Sequence, residues 1–206
     1  FGQEKSIVDL AFTPDSKSLI TLDEEGVIQI IDLESATIVK QLQHREKGFH
    51  LLVSPNGEWV AVRGNQYTTI WQLPNAEKSQ EFEHIWHWDW VIKPAAPLSF
   101  NTSGAQLATV GGDGVVKIWD TASGAILHEI PHESVRGVAF SPGGHFIVSV
   151  GDASTKLWEF QPNSISLVSE APTNGLWPMF SPDEEKIILV GLNKVEVWNN
   201  ELSENL

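Results

Sequence analysis

A chain of 206 residues, 41% hydrophobic and 19% charged, can bury a substantial core, and this composition excludes an intrinsically disordered segment. Its formal charge of −14, with only 13 Lys and Arg, argues against nucleic acid as a partner, because neutralising phosphates needs clustered cations. The absence of cysteine removes disulfides and thiolate metal sites, and no apolar run of about 18 residues or basic-then-apolar leader is visible, so neither a membrane partner nor secretion is expected and the cytoplasm is the default location.

In chain order the sequence states one pattern five times. The first unit, about 6–43, has an apolar strand ending at Phe12, the turn Thr13-Pro14-Asp15-Ser16, and a late strand reaching Ile31. The second, about 47–84, repeats this with Val53, Ser54-Pro55-Asn56-Gly57 and Trp71, and is followed by an insertion running from Glu81 to Trp90. The third, about 92–131, has Phe100, Asn101-Thr102-Ser103-Gly104 and Trp119. The fourth, about 132–170, has Phe140, Ser141-Pro142-Gly143-Gly144 and Trp158; the fifth, about 173–206, has Phe180, Ser181-Pro182-Asp183-Glu184 and Trp198. The residue before the turn recurs at steps of 41, 47, 40 and 40, and the late position at steps of 40, 48, 39 and 40. Two markers share one period and one insertion.

Pro presets φ for a turn, and Asp, Asn or Gly tolerates the conformations that follow, so each Pro-containing tetrapeptide reverses the chain. The flanks, such as Arg136 to Phe140 and Val115 to Trp119, are short and rich in β-branched and aromatic residues, and no stretch shows helical periodicity with caps. In the third unit the strands are expected near 95–100, 105–110, 115–119 and 125–130. A four-stranded unit cannot bury two faces alone, so the units stack around an axis. The expected class is an all-β propeller of four-stranded antiparallel blades, with 1–206 as a single propeller region.

Thr109-Val110-Gly111-Gly112-Asp113-Gly114-Val115-Val116-Lys117-Ile118-Trp119-Asp120 resembles the second-to-third strand signature of the WD-repeat family, and Thr121 to Leu127 resembles its last turn and outer strand. The resemblance implies a structural hydrogen-bonded tetrad in the fourth unit from His132, Ser149, Asp152 and Trp158. In the third unit Thr109, Asp113 and Trp119 match, while Ile92 stands at the His position; the other units keep little beyond the turn and the Trp site, and Ile31 replaces Trp in the first. The resemblance further implies a non-enzymatic protein–protein interaction scaffold, the binding or sensor part of a larger signalling or assembly protein. After Trp198 only a polar tail remains, a poor outer strand, and Phe1 to Lys5 is short for closing a ring. The five WD-like repeats are therefore expected to be incomplete or part of a larger propeller, with unclosed terminal blades as surfaces for association.

Trp86, Trp88 and Trp90 in the insertion would point to one side if extended, in a loop between one blade's outer strand and the next blade's inner strand. Binding a partner competes there with plugging the gap between blades. Arg136, opening the fourth unit's inner strand, is either a partner contact or the mate of a neighbouring acid. His84, His87 and Asp89 invite a metal reading, but a strand sends residues three apart to opposite faces, so no metal is expected. No Gly-x-Ser-x-Gly elbow or phosphate loop occurs, and Gly111 to Gly114 is better taken as a turn, so no catalytic residue and no cofactor are assigned. The expected partner is a protein or peptide, of basic character given the acidic chain. The alternatives are a propeller enzyme with a site in its central channel and a purely structural, self-assembling module.

Overall fold

The structure, a computed structural model, describes residues 5–73, 75–84, 97–161, 163–173 and 175–206. Among these residues nineteen strands form five antiparallel sheets, each a meander in sequence order. The first sheet comprises β1 (Ile7–Phe12), β2 (Ser18–Asp23), β3 (Val27–Asp32) and β4 (Thr37–Gln43). The second comprises β5 (Gly48–Val53), β6 (Trp59–Gly64), β7 (Tyr67–Gln72) and β8 (Glu77–Glu83). The third comprises β9 (Leu98–Phe100), β10 (Gln106–Val110), β11 (Val115–Asp120) and β12 (Ile126–Pro131); the fourth β13 (Val135–Phe140), β14 (Phe146–Gly151), β15 (Thr155–Gln161) and β16 (Ser164–Ala171). The fifth has three strands, β17 (Trp177–Phe180), β18 (Lys186–Val190) and β19 (Val195–Asn199).

The hairpins joining first and second strands follow from the repeated tetrapeptides. In each, the first residue's side-chain oxygen accepts a backbone N–H five residues on: Thr13 from Ser18 (3.0 Å), Ser54 from Trp59 (2.9 Å), Asn101 from Gln106 (3.1 Å), Ser141 from Phe146 (3.1 Å) and Ser181 from Lys186 (3.0 Å). The fourth residue turns left-handed in all five, with φ of 59° at Ser16, 74° at Gly57, 72° at Gly104, 75° at Gly144 and 60° at Glu184. Glycine takes that conformation without steric penalty; Ser16 and Glu184 do not.

Two compact units are present, one running through His84 with 121–124, the other formed by the remaining residues. In the first, Ile20, Leu22, Ile28 and Ile30 of the first sheet pack on Val60, Val62 and Trp71 of the second. In the second, Ala108, Val110 and Ile118 of the third sheet pack on Val138, Phe140, Ile147 and Trp158 of the fourth. Val148, Val150 and Leu157, on the other side of the fourth sheet, pack on Ile187 and Leu189 of the fifth. The period of two sends Ile147 and Val148 to opposite faces, so each sheet offers one face backwards and one forwards. This stacking of antiparallel blades is the propeller arrangement, and none of the five sheets closes on itself.

First strands of neighbouring sheets lie side by side within each unit. The Asp9 carboxylate accepts from the Leu51 N–H at 2.7 Å and lies 3.0 Å from His50 Nδ1. Ser99 Oγ accepts from the Phe140 N–H at 3.0 Å. A Cβ on Gly137 would stand 2.5 Å from the Leu176 carbonyl, so only glycine permits that approach. The outer strands β4, β8, β12 and β16 each carry a register shift against the third strand of their sheet, a bulge that blunts an exposed edge.

The tail after β19 forms no outer strand, as expected of a polar run. It folds back, with Leu206 N–H donating to Val197 O at 2.7 Å and a single bridge between Trp198 and Asn205. Leu202 joins the core containing Val148, Val150 and Leu189. One apolar residue in a polar run thus docks the tail.

Candidate functional site

The fourth sheet gathers most of the residues singled out in the sequence. His132 follows β12 directly, its N–H donating to the Gly114 carbonyl at 2.8 Å, which aims the ring at β14. Ser149 Oγ lies 2.7 Å from His132 Nδ1 and 2.8 Å from Trp158 Nε1. Indole N–H only donates, so Ser149 accepts from Trp158 while its hydroxyl also bonds His132 Nδ1. The other ring nitrogen, Nε2, lies 3.5 Å from Ser154 Oγ. All three side chains are buried, and burial lowers the His132 pKa to about 4, so the ring is neutral near pH 7. A Cβ on Gly151 would come within 2.9 Å of Nε2; Gly64 stands in the same relation to His44 Nε2, at 2.7 Å. Glycine at the end of the second strand makes room for a buried ring.

Asp152 does not join this group. Its carboxylate is taken bidentately by Arg136, Nε to Oδ1 at 2.6 Å and Nη2 to Oδ2 at 2.8 Å. The register shift between Val135 and Gly137 leaves Arg136 as the extra residue of β13. A forked, charge-assisted pair is stronger than a bond to a neutral imidazole, which is why Asp152 turns to the guanidinium. The pair straddles the surface, with the Arg136 side chain 12% exposed and that of Asp152 50%.

The third sheet repeats part of the arrangement. Trp119 Nε1 donates to Thr109 Oγ1 at 2.8 Å, while Asp113 accepts from the Val115 N–H at 3.2 Å and pairs with Lys117 Nζ at 3.1 Å. Asp113 therefore closes its own turn.

The first unit holds a second set of buried polar side chains, among them His84, which the sequence offers only as a metal candidate. His44 Nδ1 lies 3.1 Å from Thr69 Oγ1, and His84 Nε2 lies 3.0 Å from Thr68 Oγ1, which also accepts from Arg63 at 3.3 Å. Burial lowers the His44 pKa to about 4, as for His132. Like His132, His44 and His84 donate their backbone N–H to the carbonyl of a turn between second and third strands, Gly26 O at 2.8 Å and Gln66 O at 2.7 Å. The signal was present: His44, His84 and His132 are spaced 40 and 48 apart, the same steps as Ile31, Trp71 and Trp119.

Trp86, Trp88 and Trp90, with His87, Asp89 and Ile92, lie outside the described residues. Among the described residues no group of three or more His, Cys, Asp or Glu is placed to hold a metal ion, and no helix is long and apolar enough to cross a membrane.

Small sheets stacked face to face within each unit, with buried histidine, hydroxyl and tryptophan side chains tying strand to strand, define a propeller-type repeat protein. The WD domain, G-beta repeat family matches residues 98–120 and 124–159. The nuclear distribution protein nudF of Emericella nidulans is 26% identical over 182 residues, covering 77% of this chain and 40% of nudF. The WD repeat-containing protein sll1491 of Synechocystis is 27% identical over 147 residues, covering 69% of this chain and 40% of that protein. Apoptotic protease-activating factor 1 of Rattus norvegicus is 25% identical over 214 residues, covering 96% of this chain and 16% of the relative. The third and fourth sheets thus carry the WD repeat, and the chain over most of its length is similar to WD-repeat proteins. Its match spans two fifths or less of the length of these relatives. WD-repeat proteins are in general scaffolds that bind protein partners, typically without catalysis of their own.

Proposed function

We propose that this chain is a non-enzymatic protein-interaction scaffold, the binding or sensor part of a larger signalling or assembly protein acting in the cytoplasm. The observation that carries the reading is the use made of its buried ionisable groups. His132 is held neutral between Ser149 and Trp158, which suits a strand tie rather than proton transfer. Arg136 and Asp152 form a fixed charged pair at the surface end of a first strand, a rigid polar feature for a partner to meet. Trp86, Trp88 and Trp90 are the proposed aromatic anchors, and the charge of −14 favours a basic partner.

The test is affinity capture from source extract with the chain and with a Trp86→Ala, Trp88→Ala, Trp90→Ala variant, both shown to be folded by circular dichroism. A partner retained by the first and lost by the second supports the reading. Equal capture by both removes those tryptophans from the site.

A second reading, association through blade faces, is favoured by the terminal sheets. In the first sheet Phe12 is 57% exposed and Leu10 is open beside it; in the fifth, Trp177 is 41%, Met179 46% and Val195 62% exposed. Sedimentation velocity across a hundredfold concentration range tests it, self-association supporting the reading and a constant monomer removing it.

A further inference from the structure

We propose that the seam between the first two sheets is a separate binding groove for a short peptide carrying an apolar side chain next to a lysine or arginine. The inference rests on the scaffold reading above and supplies a site and a ligand class that the tryptophans and Arg136 do not.

The groove encloses about 600 Å³, within the range of about 300–1,000 Å³ typical of ligand sites. It lies where the turn after β1 and the turn after β5 come together. Its floor is apolar, from Ile30 of β3 and Leu73 just beyond β7, both buried. Leu73 is fixed there by its N–H, which donates to the Glu58 carbonyl at 2.7 Å. One wall is Val39, the extra residue of the β4 bulge: Ile30 pairs with Lys40 and Ile31 with Ile38, so Val39 is pushed out of the ladder and left 58% exposed. The other wall is the Pro14 ring, braced by Gly57, where a Cβ would already be 3.4 Å from Pro14 Cδ. An exposed valine over a buried isoleucine and leucine is an apolar slot open to water, sized for a side chain such as leucine or phenylalanine.

Charge selects what accompanies that side chain. Asp15 is the one ionisable residue among those lining the groove. It stands at the rim, its Oδ1 accepting from Thr13 Oγ1 at 2.7 Å and from the Lys17 N–H at 3.0 Å. Both bonds fall on Oδ1 and hold the carboxylate in a fixed orientation, so Oδ2 can receive a cation beside the slot. The same bonds lower the Asp15 pKa, the Thr13 hydroxyl contributing most, so the group stays ionised well into acid. A ligand with an acidic residue next to the apolar one meets repulsion from Asp15 and from the acidic chain as a whole.

The experiment is fluorescence anisotropy of the purified chain with three labelled hexapeptides in 20 mM salt: one with adjacent lysine and leucine in a Gly-Ser frame, one with glutamate for the lysine, and one with serine for the leucine. The expected result is saturable binding of the lysine–leucine peptide below about 1 mM and at least tenfold weaker binding of the other two. Val39→Glu should weaken it at least tenfold, and Asp15→Asn by about two- to fivefold, as for an exposed ion pair. Both residues are exposed, and circular dichroism checks that the variants fold. Absence of saturable binding, equal binding of the lysine and glutamate peptides, or unchanged binding by Val39→Glu each overturns the groove. If the groove fails while the tryptophan-dependent partner is still captured, the scaffold reading stands alone; if neither binds, both fall.

Discussion

Replacing Ser149 by alanine isolates the tie that holds the fourth sheet. Its hydroxyl serves His132 and Trp158 at once, at 2.7 and 2.8 Å, and both partners are buried, so the alanine leaves two polar groups without a mate and without access to water. A buried polar group left unmade costs about 1–3 kcal/mol, so the double loss is worth roughly 3 kcal/mol. For a protein of this size that lowers the melting temperature by about 10 °C. Denaturant unfolding followed by tryptophan fluorescence should show the midpoint falling with the slope unchanged. Ser149→Thr keeps the hydroxyl, as Thr109 does at the matching position of the third sheet, and should cost less than about 1 kcal/mol. In a Trp158→Phe background, where one donor is already gone, Ser149→Ala should cost about 1 kcal/mol less than in the natural chain. An alanine penalty below about 0.5 kcal/mol, or a threonine as damaging as alanine, refutes the account of the tie.

Three further outcomes follow from the geometry. His44 and His132 take a proton only near pH 4 when folded and near 6.5 when unfolded, because burial opposes the charge. The unfolded chain therefore binds more protons between those values. Stability is full above pH 6.5 and falls as the pH drops towards 4, by about 1.4 kcal/mol per pH unit for each histidine; urea midpoints at pH 7.5, 5.5 and 4.5 measure the slope, which a double His→Gln variant should flatten. Gly137→Ala puts a methyl 2.5 Å from the Leu176 carbonyl and should destabilise the second unit by about 1–3 kcal/mol, read from the same unfolding curves. Ser16→Gly relieves a left-handed turn at φ 59° and should stabilise by up to about 1 kcal/mol in differential scanning calorimetry.

The blades were legible because two kinds of local chemistry repeat in the chain. Pro- and Gly-containing tetrapeptides announce the hairpins, and Phe or Val before them, with Trp after, mark the strands that flank the core. The third-unit strands expected near 105–110, 115–119 and 125–130 stand at Gln106–Val110, Val115–Asp120 and Ile126–Pro131. The candidate site was harder to read, because it depends on where side chains are drawn by their neighbours. Asp152 sits at the expected sequence position, yet a bulge one strand away offers it a guanidinium, and no pattern in the sequence ranks those two partners. That His44 and His84 tie strands is not legible in the sequence although they keep the same spacing as the tryptophan series, since their hydroxyl partners Thr69 and Thr68 lie on the third strand, while those of His132 and Trp119 lie on the second. The polar tail forms no outer strand, as its composition indicates, while its docking through one residue, Leu202, is not legible from average polarity.

The central proposal is that these WD-like blades form a scaffold that binds a protein partner at Arg136 and at the tryptophan-rich insertion. Amide hydrogen exchange of the chain, with and without a captured partner, tests it most directly. The account predicts slowed exchange confined to residues 85–96 and the start of β13 around Arg136, with strand interiors such as β14 and β15 unchanged because they are already protected. Protection spread over the outer strands, or none at either place, would contradict it.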